Sequence, residues 1–241
     1  NRICEKAVFA MSITSNYKQR KEDIEESFSL LDFLLSIETH RGKEIKNDIL
    51  GNSLVVSQGM QCVVKAQFLM VLYNLVESTV YDCLNAIYDA ILDDALVYGS
   101  LSTEMKQIWR EYLRKRGLSE DFSKSEEEIT NMPIHFSELA VNISGSLDYR
   151  KIQDVFSKHG CVLDDTKRLI VADSFLVVKN RRNQLAHGDI SFSACGSNYM
   201  LSDLFKFKSD IVDYMAVLVA KTQEFIKSDL YKRMDEDIKL T

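Results

Sequence analysis

The sequence predicts an all-α fold, a bundle of few, long helices around one core. The 241-residue chain contains one proline and nine glycines, whereas average usage near 5% would supply roughly a dozen prolines. Sheets, sandwiches and barrels need many turns built from these two residues. Hydrophobic residues make up 46% of the chain and charged residues 27%, which is the balance of a protein that buries a core. Apolar residues also recur at three- and four-residue steps, the period of an amphipathic helix.

The first fifty residues predict an N-terminal helical extension (1–50). Between Tyr17 and Ile37 the apolar residues Ile24, Phe28 and Leu31 follow the helical period, which favours one amphipathic helix. The segment 40–42, His-Arg-Gly, has the basic residues and glycine typical of a helix end.

The longest apolar segment predicts a central helix over 56–93. Between Val64 and Val76 the polar side chains are Lys65, Gln67 and Asn74, so apolar positions cover most of the helix circumference. Such a stretch falls short of the roughly 20 residues that span a bilayer. It therefore predicts the core helix of a bundle and no membrane association.

Start and stop signals divide the rest of the chain. In order, they predict a helix over 102–117, an insertion over 119–145 with a short helix or two, a helix closed by 159–160, a long helix over 164–186, a loop over 188–196, and a last helix over 203–232 capped by Ser202. No repeat or linker interrupts this order, so residues 1–241 are expected to form one domain.

Charge and cysteine usage narrow the class of protein. The net charge of −6 restricts any nucleic-acid contact to a local patch, because general nucleic-acid coat proteins are basic. The five cysteines are odd in number, with no C-x-x-C pair, which predicts reduced thiols in the cytoplasm and no disulfide framework. The N-terminus lacks the layout of a signal peptide. The histidines at 40, 135 and 159 show no metal-ligand spacing, so no metal or other cofactor is expected.

The most informative segment is 179–188, which combines Arg182, Asn183 and His187 at the end of a long predicted helix. Asn183 and His187 are four residues apart and share a helix face. An imidazole can move protons at neutral pH, and a guanidinium binds phosphate oxygens in a bidentate manner. Because RNA supplies its own 2′-hydroxyl nucleophile, the set suits metal-free RNA cleavage. Alternatively, His187 only favours the helix dipole in the last turn before Gly188.

Other polar residues are supporting candidates. Glu77 interrupts the apolar central helix and could pair with Arg182, or be satisfied by another partner; Asn74, one turn earlier, faces the same side. Lys179 and Arg181 flank the motif as RNA-binding candidates. A basic face on the helix over 102–117 either tracks an RNA backbone or is simply solvated. Its members are Lys106, Arg110, Arg114, Lys115 and Arg116.

The motif Arg-Asn-Gln-Leu-Ala-His over 182–187 resembles the signature of HEPN domains, an Arg followed by a polar residue and, after a short spacer, a His. The segments 72–80, 145–159 and 187–192 resemble, in order, one stand-alone HEPN subfamily whose members accompany restriction-like, toxin–antitoxin and defence genes. The resemblance runs from about residue 56 to the last helix and leaves the first fifty residues outside it.

This resemblance implies an all-α HEPN bundle that dimerises and joins two Arg…His motifs in one cleft. Active members are metal-independent endoribonucleases that leave a 2′,3′-cyclic phosphate. The resemblance implies that His187 acts as the acid or base and that Arg182 binds the phosphate. Asn183 corresponds to the polar residue that follows the Arg. One branch carries a tyrosine two residues after the His, which a partner nucleotidyltransferase modifies; Asp189 stands there in this chain, which argues against that control.

The sequence therefore favours an endoribonuclease acting on RNA as a homodimer, a toxin or anti-phage effector with an antitoxin or operon-encoded partner. The alternative is a non-catalytic HEPN-like dimer that binds RNA, a nucleotide or a protein. The apolar excess of the helix over 56–93 and of the helix that carries Phe175, Leu176 and Val178 provides material for the dimer interface.

Overall fold

The computed structural model confirms the predicted all-α fold. It describes residues 2–36, 44–47, 51–117, 129–143, 145–163 and 168–234. In these ranges the chain forms seven α-helices and one antiparallel hairpin. The elements are α1 (Arg2–Ser36), β1 (Glu44–Asn47), β2 (Asn52–Val55), α2 (Gln58–Asp93), α3 (Thr103–Lys115), α4 (Tyr149–Lys158), α5 (Arg168–His187), α6 (Phe192–Gly196) and α7 (Leu201–Lys227), with a 3-10 turn (Tyr98–Ser100) before α3.

Helix α2 is the centre of the bundle, and helices α1, α5, α6 and α7 pack against it. Its start is fixed by Ser57, whose Oγ accepts a hydrogen bond from the Met60 amide at 3.2 Å. Seventeen of its 36 residues are buried. Its length and composition also meet the criterion for a membrane span, but the core helix of a soluble protein meets the same test, and 44% of the most apolar 18-residue window of α2 is buried inside the chain.

Two of the three apolar residues named for α5, Phe175 and Val178, lie in the core and are not available to a dimer interface. Each is 1% exposed, whereas Leu176 is 44% exposed. The Phe175 ring packs edge-on against Tyr214 of α7, with centroids 5.3 Å apart. The apolar excess of α2 and α5 is therefore largely used within the chain.

The N-terminal extension is part of the core. Helix α1 packs against α2 and α7, and buries Ile13, Ile24 and Leu31. The Tyr17 hydroxyl donates a hydrogen bond to the Val212 carbonyl at 2.7 Å. The helix end predicted at 40–42 lies outside the described residues.

Three local predictions are wrong. The hairpin β1–β2, in register from Glu44–Val55 to Asn47–Asn52, was not predicted because its strands are short and polar. The segment 188–196, expected to be a loop, contains α6, whose start is capped by the Ser191 hydroxyl. The last helix begins at Leu201 and not after Ser202, because the Asp203 carboxylate accepts the Met200 amide proton at 2.8 Å.

The predicted insertion contributes to the core where it is described. Residues 131–143 contain no helix, but the isolated bridge between Val97 and Pro133 anchors them. Ile134, Ala140 and Ile143 are buried, and Phe136 stacks on Tyr88 of α2 with centroids 4.1 Å apart. The remainder, residues 119–128 and 144, lies outside the described residues.

Helix α4 begins and ends as the sequence predicts, and His159, the residue that caps its C-terminal end, is completely buried. Its Nδ1 lies 2.7 Å from the Val155 carbonyl, to which it donates. Nε2 lies 2.8 Å from the Tyr88 hydroxyl oxygen, and because Nδ1 carries the proton, Nε2 accepts the hydrogen bond from this hydroxyl. This arrangement fits the neutral imidazole, and burial lowers the pKa of His159 to about 4.

We expect His159 to make the protein less stable at acidic pH. Above about pH 6.5 the imidazole is neutral in both the folded and the unfolded chain. As the pH falls from there toward 4, the unfolded chain gains a proton that the folded chain does not accept, and the free energy of unfolding drops by about 3 kcal/mol. Urea unfolding between pH 4 and 7 measures this slope. His159→Gln should unfold with a flatter pH dependence; an identical slope in both proteins would contradict the assignment.

Candidate functional site

The predicted motif residues lie at the C-terminal end of α5, which packs against α2. This packing brings Arg182 Nη2 to 3.5 Å from Glu77 Oε2 on α2. Arg182 Nη1 donates to Asn183 Oδ1 at 3.2 Å. The guanidinium carbon also lies 4.7 Å from the centroid of the Tyr73 ring, a cation–π distance. Arg182 is thus held from three sides.

Gly145 joins both helices to this arrangement through its backbone. Its N–H donates to Glu77 Oε1 at 2.9 Å, and its carbonyl accepts from Asn183 Nδ2 at 2.9 Å. Its φ of +65° lies in the left-handed region that favours glycine. A Cβ at this position would lie 3.2 Å from Arg182 Nη1. We call Tyr73, Glu77, Gly145, Arg182 and Asn183 the Arg182 network.

His187 lies outside this network. It is the last residue of α5, it is exposed, and within the described residues it has no hydrogen-bond partner. The helix ends immediately after it, where Gly188 adopts a φ of +77° and the Asp189 amide bonds back to the Gln184 carbonyl at 2.8 Å. The imidazole is therefore accessible to a bound substrate.

Asn74 is also exposed, one turn before Glu77 on α2. Both side chains line a cleft of about 870 Å³ beside α2. Arg182 is not among the residues that line this cleft.

The predicted RNA-binding cations fall into two groups. Lys179 donates to Asp148 Oδ2 at 2.6 Å, and Arg181 Nε donates to the Tyr199 hydroxyl at 2.7 Å. Burial acts to raise the pKa of Asp148, but the hydrogen bonds from Lys179 and from the Lys151 amide outweigh it and hold this pKa below its usual value. These two cations therefore stabilise the fold around α5.

The second group lies on α3. Arg110 is exposed, with its guanidinium carbon 5.5 Å from the Tyr98 ring centroid. It lines a separate cleft with Lys106 and Arg233, which shares no lining residue with the Arg182 network. Arg114 is exposed near the end of α3. The structure therefore brings Glu77, Asn183 and Arg182 together, whereas Lys106 and Arg110 line a different cleft. Lys115 of α3 lines the cleft beside α2 together with Glu77.

The geometry of the Arg182 guanidinium suits binding of a phosphate. A guanidinium has five N–H donors, and the contacts to Glu77 and Asn183 use two of them, so the others can bind phosphate oxygens. Glu77 and Asn183 fix the plane of the group, which pre-organises it. No group of three or more His, Cys, Asp or Glu side chains is placed to hold a metal ion in the described part of the chain.

Tyr73 and Gly145 are the site residues that reasoning from single residue types missed. The Tyr73 hydroxyl accepts the Leu147 amide proton at 3.2 Å, so the ring both faces Arg182 and holds the segment that contains Gly145. A tyrosine in an apolar helix and a glycine before a helix start are ordinary by themselves. The sequence signal that could have identified them is their position inside the segments 72–80 and 145–159, which resemble HEPN domains.

We expect Gly145→Ala to lower activity as well as stability, because the added Cβ would crowd Arg182. Gly117→Ala is the matched control, since Gly117 has a φ of +71° and no atom within 4 Å of a built Cβ. Both variants should lose about 1 kcal/mol of stability to backbone strain. Only Gly145→Ala should also lose about tenfold in RNA cleavage. Equal activity of the two variants would contradict a positioning role for this segment.

Comparison with known proteins places the chain in a family. Residues 9–231 match the HEPN_MAE_28990-like HEPN family. Comparisons with curated proteins and with solved structures gave no match. The matched range begins inside α1 and so extends the resemblance, expected to start near residue 56, almost to the N-terminus. It includes α1, the Arg182 network and His187, and on this basis the chain belongs to the HEPN_MAE_28990-like HEPN family.

Proposed function

We propose that this protein is a metal-independent HEPN endoribonuclease of the cytoplasm, a toxin or anti-phage defence effector. The observation that carries the proposal is that Arg182 is held by Glu77 and Asn183, while the exposed His187 follows on the same helix. A fixed cation can stabilise the charge that develops on an RNA phosphate, and an accessible imidazole can transfer a proton.

In the proposed reaction the 2′-oxygen of one nucleotide attacks the adjacent phosphorus, and the bond from phosphorus to the 5′-oxygen breaks. A neutral imidazole takes the 2′-hydroxyl proton, and a protonated imidazole gives a proton to the leaving 5′-oxygen. Arg182 stabilises the charge on the non-bridging oxygens. The products are a 2′,3′-cyclic phosphate and a 5′-hydroxyl.

Two imidazoles are needed at one phosphate, so the proposed active form is a two-fold dimer with one His187 from each chain. Co-expression of the wild-type chain with His187→Ala tests this. If a mixed dimer is inactive, equal amounts of the two chains leave about one quarter of the activity, whereas independent sites leave about one half. A monomer in light scattering that retains full activity would contradict the dimer.

Incubation of the purified protein with total RNA in EDTA tests the enzymatic proposal directly. We expect cleavage by the wild-type protein, products with cyclic phosphate ends, and no cleavage by His187→Ala. Addition of an operon-encoded antitoxin, if one is co-purified with the chain, should suppress cleavage.

The second candidate function is a non-catalytic HEPN-like dimer that binds RNA, a nucleotide or a protein partner. The contact that favours it is the Glu77–Arg182 pair, which engages Arg182 inside its own chain. RNA binding without cleavage by the wild-type protein, in EDTA and in Mg²⁺ alike, would select this candidate.

A further inference from the structure

Helix α2 carries a polar stripe between its buried apolar positions. The stripe consists of Asn74, Glu77, Ser78, Tyr81 and Asp82, which follow the three- and four-residue spacing of a helix face. These residues line the cleft of about 870 Å³ introduced above. Because Glu77 also contacts Arg182, the cleft begins where the Arg182 network ends.

The other walls of the cleft are held by contacts within the chain. Arg20 of α1 donates to Asp82 Oδ2 at 2.7 Å. Lys115 of α3 donates to the Ala140 carbonyl, in the segment that continues to Gly145. The cleft is therefore bounded by side chains with defined partners, and the same segment forms its wall and closes the Arg182 network.

Tyr81 is the aromatic side chain of this cleft, and it is 51% exposed. Its neighbours on α2, Val80 and Leu84, are completely buried. Tyr81 follows Glu77 by four residues on the same face of α2, and Glu77 contacts Arg182. Proteins use exposed rings of this kind to stack an unpaired nucleobase.

The charges of the cleft indicate which part of a nucleotide it fits. The side chains that line the cleft include two cations, Arg20 and Lys115, and three carboxylates, Glu77, Asp82 and Glu138. The lining therefore carries no excess of positive charge to bind a phosphate. Of these carboxylates, Glu138 is exposed. Carboxylates accept hydrogen bonds from the amino groups of bases, whereas they repel O4 of uracil, which stands where cytosine carries its amino group.

We propose that this cleft binds the base of a nucleotide next to the scissile phosphate, with Tyr81 stacked on the ring and Glu138 accepting from its exocyclic amino group. The inference rests on the proposed function for the position of the phosphate. It adds a preference for RNA with an amino-bearing base over RNA with uracil, which the Arg182 network does not provide.

Binding of short fluorescent oligocytidylate and oligouridylate to the His187→Ala protein tests the cleft without cleavage. Cytosine and uracil have the same size and differ only at the 4-position and N3, so their comparison tests how the cleft reads this edge of the base. We expect oligocytidylate to bind about tenfold tighter. Tyr81→Ala in this background should weaken binding of both by about tenfold, and Tyr81→Phe should restore it. Glu138→Gln should reduce the preference for cytosine.

Phe205→Ala is the matched control, because Phe205 is 53% exposed on α7 and does not line the cleft. It should leave binding unchanged. Unchanged binding in Tyr81→Ala, or equal binding of the two oligonucleotides, would overturn the inference. So would conversion of a dimer to a monomer by Tyr81→Ala, because the cleft would then hold a second chain.

The two proposals fail in different ways. If Tyr81 and Glu138 control binding but the wild-type protein cleaves no RNA in EDTA, the base site stands and the proposed enzyme is wrong. If the wild-type protein cleaves RNA and Tyr81→Ala changes neither binding nor the cleaved positions, the enzyme stands and the base site is wrong.

Discussion

His187→Ala is expected to abolish RNA cleavage without a measurable loss of thermal stability. Each proton transfer by a positioned side chain contributes about 10²- to 10⁴-fold to the rate, and in the proposed dimer the substitution removes both. The stability should be unchanged because His187 is exposed at the end of α5 and has no hydrogen-bond partner in the described residues. Gel analysis of a defined RNA beside a thermal melt measures both quantities.

His135→Ala provides the control for this substitution. His135 is also exposed, but it belongs to the segment between α3 and α4 and does not line the cleft beside α2. It should retain wild-type activity. Cleavage by His187→Ala at the wild-type rate would show that the imidazole only ends the helix.

Arg182→Ala is expected to abolish cleavage and, unlike His187→Ala, to destabilise the protein slightly. The side chains of Arg182 and Glu77 are 22% and 27% exposed, so solvent screens the pair and its loss should cost only about 1 kcal/mol. Glu77 keeps its hydrogen bond from the Gly145 amide. Arg182→Lys should also be largely inactive, because an ammonium does not reproduce the planar, two-pronged contact with phosphate.

Thermal melts of Arg182→Ala, Glu77→Gln and the double variant distinguish a catalytic arginine from a structural one. A catalytic Arg182 predicts small losses of stability and a complete loss of activity. Large and non-additive losses of stability in the two single variants, together with cleavage by Arg182→Ala, would identify the pair as structural.

The local signals in the sequence predicted the helices well. Ser102 caps α3 and Asp148 caps α4 as their side-chain types and positions suggest, because a cap depends only on the few residues around it. The order Arg182, Asn183, His187 was recognisable for the same reason, since it lies within one turn and a half of a single helix. The family match over 9–231 agrees with the resemblance stated from these segments.

Long-range packing decided what these residues contact. Glu77 and Arg182 are 105 residues apart, and their pairing depends on how α5 crosses α2. The same packing buried Phe175 and Val178 in the core, joined α1 to α2 and α7, and placed Gly145 between Glu77 and Asn183. A helical period shows which face is apolar, but it does not show which helix covers that face. The sequence by itself therefore determined the helices and the motif, and the tertiary structure decided the partners of Arg182, because side-chain contacts between distant segments arise only from the packing of whole helices.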